Sequence, residues 1–475
     1  MLNIPNKLPI PKLPEVINKL VVGLNAINGK PYLVGGGTID IICSQEPKDW
    51  DIEVFGVSYE QLVTVAQSIG PADLIGSKFG VVKLKDQEID IELSIPRTEN
   101  KNGPKHQDFD VAFKCDLTIK EAAKRRDFTI NCIYLDLETL EYIDPYDGIN
   151  DLIAGKLHYV NQDTFIEDPL RAFRAVQLVA RKGRTWTVGL NRLIGRMLPS
   201  LRHLTGDAIL GEMNKLLMLA NNPSVGLKHM VSRHPEIYGR GLINLFPELQ
   251  TLIGCEQRKE YHPEGDVWNH TLMVIDEAAK WRDEIPEEWK LAFMWGMLLH
   301  DIGKPIATVM DEKKGHLTSI SHDKLGEPLA RTFMERLTNN KDLVDKICSI
   351  VKVHMRPRLL LKASPRRAAW RRLQNECPLD ILAYVSMVDN DGRGAPAERA
   401  GKAEESFIKT MAIYKELGSP TAEIKPILMG RHLIEHGFQP GPKFGSMLQE
   451  AYEYQLETGC EDIEELYNKT IHLES

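Results

Sequence analysis

Pro31-Tyr-Leu-Val-Gly-Gly-Gly37, followed after a connector by Asp49-Trp-Asp-Ile-Glu-Val-Phe55, decides how the first third of the chain folds. An apolar strand runs into a glycine turn. The second segment then alternates carboxylates with apolar residues. On a strand this period of two sets Asp49, Asp51 and Glu53 on one face and Trp50, Ile52 and Val54 on the other. Neighbouring carboxylates repel unless a cation sits between them, and a hard divalent ion with oxygen ligands meets that need. Gly35, Gly36 and Gly37 let backbone amides approach an anion closely, as a triphosphate requires. The residues thus point to a metal-dependent site for a nucleoside triphosphate, although a lone Asp-x-Asp also suits a solvated strand face.

Outward from this point, strand patterns occur at 31–34, 50–55, 80–85, 88–95 and 131–135, with helices at 58–68 and 119–125. Strands then nearly vanish, and helical periodicity marks 168–181, 210–220, 271–279, 289–300, 324–338 and 343–354. This switch is the clearest domain boundary. Further boundaries fall near Asn244-Leu-Phe-Pro-Glu248 and in the Gly/Pro/Ala-rich 391–401. The polar stretch 97–118 has no periodicity and reads as a long functional loop.

The chain has 475 residues, 43% hydrophobic and 27% charged, which fits a globular protein of several domains. A net charge of −8 excludes a general polyanion binder, so any nucleic-acid surface must be a local patch. Seven scattered cysteines, none spaced as C-x-x-C, exclude a thiolate zinc site and fit a reduced cytoplasm. The proline-rich N-terminus lacks the apolar core of a signal peptide, and the run at 291–299 is too short to span a membrane. A cytoplasmic location is the expectation.

Three further constellations carry chemistry. Glu88-Ile-Asp-Ile-Glu-Leu-Ser94 places Asp90 and Glu92 on one face; beside the Asp49/Asp51 strand, one of them would complete the metal site or deprotonate a hydroxyl. Lys124-Arg-Arg-Asp-Phe-Thr-Ile-Asn131 offers Arg125, Arg126, Asp127 and Asn131 to ribose and phosphate, and equally suits a surface helix end. Glu167-Asp-Pro-Leu-Arg-Ala-Phe-Arg174 opens a helix on which Asp168 and Arg171 share a face, with Arg174 one step on. A fixed acceptor beside a fixed donor matches the edge of cytosine or adenine; a capping acid with an ion pair is the plainer account.

Val34-Gly-Gly, Asp49-x-Asp51, Arg125-Arg-Asp-Phe-Thr-Ile-Asn131 and Glu167-Asp-Pro-Leu-Arg171, in this order, resemble the class II tRNA nucleotidyltransferases (CCA-adding enzymes) and the related poly(A) polymerases. The resemblance covers nearly the whole chain. It implies an α+β fold: a polymerase-β-like nucleotidyltransferase head with a mixed β-sheet, then an all-α neck, body and tail. It implies Mg2+ on Asp49 and Asp51, Arg125–Asp127 near ribose and triphosphate, and CTP then ATP selected by Asp168 and Arg171. Arg97 and Glu99 match a further family element. Two departures stand out. Ile39 replaces an arginine after the glycine turn, and Ala122 replaces an acid before the Arg-Arg-Asp element. Both bear on rate and triphosphate affinity, and Lys48 or Lys124 is the candidate replacement.

In the second half, His270, His300-Asp301-Ile-Gly-Lys304 and Asp389 lie on separate helical stretches. Imidazoles and carboxylates so placed hold a divalent metal and a water poised to attack phosphorus. The set resembles an HD phosphohydrolase domain, which implies His270, His300, Asp301 and Asp389 as ligands of a transition metal or Mg2+. It also implies Lys304 near phosphate, and His322 and His354 fall where some HD proteins place a second metal's ligands, with ordinary helix-face histidines as the plainer account. For this branch the resemblance implies phosphatase and 2′,3′-cyclic phosphodiesterase activity. No acid occurs from 346 to 375 while bases accumulate, so Arg366, Arg367, Arg371 and Arg372 are candidate RNA contacts; a solvated helix face is the alternative. Gly430–Gly445 resembles the family's tail.

The expected organisation is therefore head 1–155, neck 156–245 with the nucleotide-template helix, HD body 246–400 and tail 401–475. The expected activity is untemplated addition of C and A to tRNA 3′ ends from CTP and ATP, with phosphohydrolysis at the HD site. The rivals are an HD phosphohydrolase on RNA ends with a weakened head, a non-catalytic RNA binder, and a poly(A) polymerase.

Overall fold

The computed structural model describes residues 8–47, 49–74, 80–85, 89–101, 103, 109–114, 116–182, 184–231, 241–363, 366–394, 401–419 and 423–470. The chain divides into two compact units, Met1–Leu216 with Lys228–Leu242, and Leu217–Leu227 with Ile243–Ser475.

The first unit is built on a seven-stranded sheet. Its elements begin with α1 (Glu15–Asn25), β1 (Lys30–Leu33), α2 (Gly36–Ile42), β2 (Asp49–Phe55), α3 (Tyr59–Ile69), β3 (Ala72–Asp73), β4 (Val81–Lys85) and β5 (Asp90–Ser94). Then follow β6 (Arg97–Lys101), β7 (Phe109–Phe113), α4 (Ile119–Ala123), β8 (Tyr134–Asp136), β9 (Tyr142–Ile143), α5 (Gly148–Ile153), α6 (Gln162–Glu167) and α7 (Arg171–Arg181). Sheet order is β3-β4-β5-β2-β1-β8-β9. The central β2–β5 pair is parallel, and its register sets Asp49 opposite Asp90 and Asp51 opposite Glu92. Trp50, Ile52, Ile91 and Leu93, on the other face, are buried against Ile17, Leu20 and Leu24 of α1 and Leu62 and Ala66 of α3. One alternation thus supplies both a core and a polar working face. Ser58 and Gln61 close a capping box at the start of α3, and Thr118 and Glu121 do so for α4.

The structure departs from the sequence reading in three places. The connector after the glycines is α2, whose Thr38 hydroxyl donates to the Leu33 carbonyl at 3.0 Å while Ile39, Ile41 and Ile42 are buried. Burial thus overrides the poor helix propensity of two glycines. The stretch 97–118 is no plain loop, because β6 and β7 pair antiparallel from Arg97–Phe113 to Lys101–Phe109. Asp168 does not open the helix. It ends α6, its Oδ1 accepts from the Leu170 amide at 3.0 Å, and Pro169 lies in the link before α7.

The second unit is helical apart from one hairpin, Thr308–Asp311 with His316–Ser319, among the described residues. Five helices carry or frame its polar centre: Val267–Trp281, Glu287–Leu299, His322–Glu335, Lys341–Val353 and Leu379–Asp391. The helices Gly430–Glu435 and Pro442–Thr458 close a separate small core around Leu433, Met447, Ala451 and Leu466. Among the described residues, no helix is long and apolar enough to cross a membrane.

Candidate active sites

A cavity of about 560 Å3 opens on the polar face of the first unit. Gly35, Gly36, Gly37, Asp49, Asp51, Arg97, Arg125, Arg126, Asp127, Asn131, Asp168, Arg171 and Arg174 all line it, so the structure gathers nearly every expected residue of the head. Glu92 is the exception. It pairs in register with Asp51 but is exposed and outside the lining. Two glycines are required by geometry. Gly35 has φ +72°, and a Cβ on Gly37 would stand 2.7 Å from the Asp49 carbonyl. The side chain of Glu99 and the whole of Lys48 lie outside the described residues. Lys124 is exposed and does not line the cavity, so it does not replace the missing arginine there.

Charge explains the arrangement. Burial pushes the Asp51 carboxyl up to about 6, and the carboxylates of Glu92 and Asp49 push the same way against Arg126. Such a group accepts either a proton or a cation, and this oxygen-only donor set fits a hard divalent ion such as Mg2+. Glu53, the third acid of the strand, is wholly buried beneath the arginines. Arg125 Nη2 donates to its Oε1 at 2.9 Å, Arg126 Nη2 to its Oε2 at 3.3 Å and the Tyr134 hydroxyl to Oε2 at 2.8 Å. Burial alone would raise its pKa, yet Arg126 and Arg125 hold it at about 2. Ala122 packs in the apolar cluster with Tyr32, Val34, Phe55 and Tyr134, while the carboxylate beneath the two arginines is Glu53.

The expected recognition pair is looser than a helix-face pair. Arg171 Nε lies 3.9 Å from Asp168 Oδ2, while its two terminal nitrogens donate to the carbonyls of Thr164 at 2.9 Å and Arg125 at 2.6 Å. Asp127 accepts from Arg174 Nη1 at 2.9 Å and from Asn131 Nδ2 at 2.8 Å. Arg171 and Asp127 therefore brace the cavity wall as well as facing into it. Ile39, already marked as a departure, lines the cavity, and so do Asp40, Gln177, Leu178, Arg181 and Lys182, which were not expected there. The three-to-four spacing from Arg174 to Gln177, Leu178 and Arg181 was the available signal.

In the second unit four histidines converge. His270 Nε2 lies 3.1 Å from Asp389 Oδ1, 3.3 Å from His300 Nε2 and 3.6 Å from Asp301 Oδ2, and His300 Nε2 is 3.2 Å from Asp301 Oδ2. On the other side of Asp301, Oδ1 lies 3.2 Å from His322 Nε2 and 3.8 Å from His354 Nε2. Each Nδ1 faces outward to a fixed oxygen: Glu264 Oε1 for His270, and the carbonyls of Met297, Ser319 and Val351 for His300, His322 and His354. That outer ring orients every Nε2 inward, as metal ligation requires. His270, His300 and Asp301 form one potential metal group, and Asp301, His322 and His354 a second, with Asp301 common to both. Donor groups of two imidazoles and one carboxylate fit a divalent transition metal better than Mg2+, which prefers oxygen ligands.

Asp301 and Asp389 are held well below the usual carboxylate range despite burial, by His300 and Lys304 in one case and Arg393 and His270 in the other. Burial, then the neighbouring His322 and His300, push His354 down to about 3. The imidazole is therefore neutral and its lone pair available. Lys304 Nζ lies 2.6 Å from Asp301 Oδ2 and donates to Gln257 Oε1 at 2.6 Å. A cavity of about 390 Å3 adjoins the cluster, lined by Tyr261, Lys304, His322, Arg358 and Asp389 among others. Glu264 and Gln257 were not anticipated.

The basic strip is corrected in part. Arg371 is buried, and its Nη1 donates to the carbonyls of Leu456 at 2.6 Å and Glu457 at 2.9 Å, so it caps a tail helix instead of presenting its charge to solvent. Arg372 pairs with Glu453, and Arg367 lies 3.6 Å from Glu416. Arg366 and Arg367 are the exposed members.

Comparison with known proteins agrees with this geometry. Residues 31–158 match the Poly A polymerase head domain family and residues 267–390 the HD domain family. A multifunctional CCA protein of Acinetobacter baumannii is 31% identical over 384 residues, covering 76% of this chain and 84% of that protein. One from Psychromonas ingrahamii is 30% identical over 437 residues, covering 88% and 96%. Among solved structures, the Bacillus stearothermophilus CCA-adding enzyme in complex with CTP superposes with a TM-score of 0.65 at 20% identity, over 97% of this chain and 98% of that one. The Thermotoga maritima CCA-adding enzyme complexed with tRNA gives 0.57 at 18% identity, over 98% and 97%. At such identities these two share the fold.

Proposed function

The chain belongs to the multifunctional CCA proteins, class II tRNA nucleotidyltransferases with an HD domain, and from that premise we propose which of its residues perform each reaction. The enzyme is a CCA tRNA nucleotidyltransferase. In our reading the segments 1–155, 156–245, 246–400 and 401–475 are head, neck, HD body and tail, acting on tRNA in the cytoplasm with CTP and ATP as donors.

The tRNA 3′-hydroxyl attacks the α-phosphate and pyrophosphate leaves. Asp49 and Asp51 would hold Mg2+, which when bound would neutralise charge and lower the hydroxyl's pKa. Glu53 fixes Arg125 and Arg126 so that their cationic faces are set before the nucleotide arrives, which is the positioning that phosphoryl-type transfers depend on. Asp168 accepts from the exocyclic amine common to cytosine and adenine, and Arg171 holds the wall that presents it. Glu92, opposite Asp51, completes the acidic face. The observation that carries this reading is the single cavity lined jointly by Asp49, Asp51, the Arg125–Asp127 segment, Asp168 and Arg171.

At the HD cluster, His270, His300, Asp301 and Asp389 would hold one divalent ion, and His322 and His354 with Asp301 would offer a second place. Lys304 neutralises phosphate charge. The reaction is hydrolysis of phosphate esters at RNA ends, including 2′,3′-cyclic phosphates. Arg366 and Arg367 contribute exposed charge for the tRNA backbone. Sequencing the 3′ ends of products from a truncated tRNA, with CTP and ATP offered singly and together, tests the head. Failure to add either nucleotide, with cyclic-phosphate hydrolysis retained, would favour a head weakened at Ile39.

A further inference from the structure

Ile39 leaves the head without the arginine expected after the glycine turn, yet the cavity is lined by seven cationic side chains. Most already have an anionic or carbonyl partner. Arg125 and Arg126 lie on Glu53, Arg174 on Asp127, and Arg171 on two backbone carbonyls. Lys182 Nζ sits 2.6 Å from Asp40 Oδ1. Arg181 differs. Its Nη1 donates to the neutral Gln177 Oε1 at 3.0 Å, and among the described residues no carboxylate lies within ion-pair distance of it.

Position sharpens the contrast. Arg171 and Arg181 stand at opposite ends of α7, separated by about 15 Å of helical rise, and both line the cavity. The Asp168–Arg171 end meets the base edge in the reading above. The other end is tied to α2, directly after the glycine turn, by the Lys182–Asp40 pair. A nucleoside triphosphate lying along α7 with its base at Arg171 brings its terminal phosphates to Arg181. We propose that Arg181 is the guanidinium that receives the β- and γ-phosphates of CTP and ATP, replacing the side chain that Ile39 cannot provide. Burial lowers the proton affinity of this guanidinium while Asp40, Glu212 and Asp49 act against that from a distance, which is the state of a partly dehydrated cation lacking a close anion. An arriving phosphate supplies that anion with bidentate geometry.

The inference rests on the cavity being the nucleotide site, so the experiment separates the two. Binding of CTP, ATP, CMP and pyrophosphate is measured for the full-length wild type, Arg181→Ala and Arg181→Lys, with a thermal melt of each and steady-state incorporation into truncated tRNA. Removing a charge-assisted contact should raise KM for both triphosphates and weaken pyrophosphate roughly ten- to hundred-fold, with CMP binding unchanged and Arg181→Lys recovering part of the loss. Equal weakening of CMP and CTP would assign Arg181 to cavity structure alone and overturn the inference, as would unchanged triphosphate and pyrophosphate binding in a folded Arg181→Ala protein. Incorporation that survives Asp49→Ala/Asp51→Ala would instead remove the nucleotide site itself from this cavity.

Discussion

Replacing Glu53 by Gln keeps its size and one hydrogen-bond acceptor but removes the charge beneath Arg125 and Arg126. The carboxyl is wholly buried, and its pKa falls from an ordinary 4.5 to about 2. Each unit of depression is worth about 1.4 kcal/mol, so the ionised carboxylate contributes about 3 kcal/mol at neutral pH. That matches the scale on which breaking a buried ion pair destabilises. The sign follows from the depressed value. The contribution is complete above pH 4.5 and is lost as pH falls through that value towards 2. The wild-type advantage over Glu53→Gln should therefore be about 3 kcal/mol at pH 7 and about 2 kcal/mol at pH 3.5. Urea unfolding followed by hydrogen exchange in peptides from β2 and β8 isolates the head from the second unit. The same variant should lose roughly a hundred-fold in nucleotide addition, since both arginines lose their fixed orientation. A gap below about 1 kcal/mol at pH 7, or one that widens on acidification, would refute the assignment of Glu53 as their anchor.

Asp49→Asn and Asp51→Asn should each reduce incorporation by about three orders of magnitude. Because Asp51 titrates at about 6, protons should compete with Mg2+ below that pH, and its half-saturating concentration should rise as pH falls from 7.5 to 5.5. At the HD cluster, Asp301→Asn should abolish phosphoester hydrolysis and metal retention, read by elemental analysis, and leave tRNA end addition intact. Glu264→Gln removes the acceptor that orients His270 and should weaken metal binding about ten- to hundred-fold. Arg371→Ala should loosen the tail by about 2 kcal/mol without changing the salt dependence of tRNA binding. Arg366→Ala should reduce that slope by about one.

The sequence disclosed what depends on local period and order. The alternation in Asp49–Phe55 set the face of three acids, and the β2–β5 pairing then placed Glu92 opposite Asp51. The roles of those acids were less legible. Glu53 reads as a third member of an acidic face, because its partners Arg125, Arg126 and Tyr134 lie 72, 73 and 81 residues away. The helix α2 escaped notice because seven residues beginning with two glycines have no helical period to show. Arg371 misled for the same reason as Glu53. A charge run displays donors, whereas the carbonyls it caps lie 85 and 86 residues downstream. The HD histidines were legible as residue types, but their shared dependence on Asp301 required the fold.

Each unit closes an interior of its own around its own polar centre, so the two proposed chemistries should be separable by substitution. A lesion at Asp49 should silence one without disturbing the helices that carry His270 and Asp389, and a lesion at Asp301 should do the reverse. Either centre should therefore be open to loss by a single substitution while the other unit goes on folding around its own core.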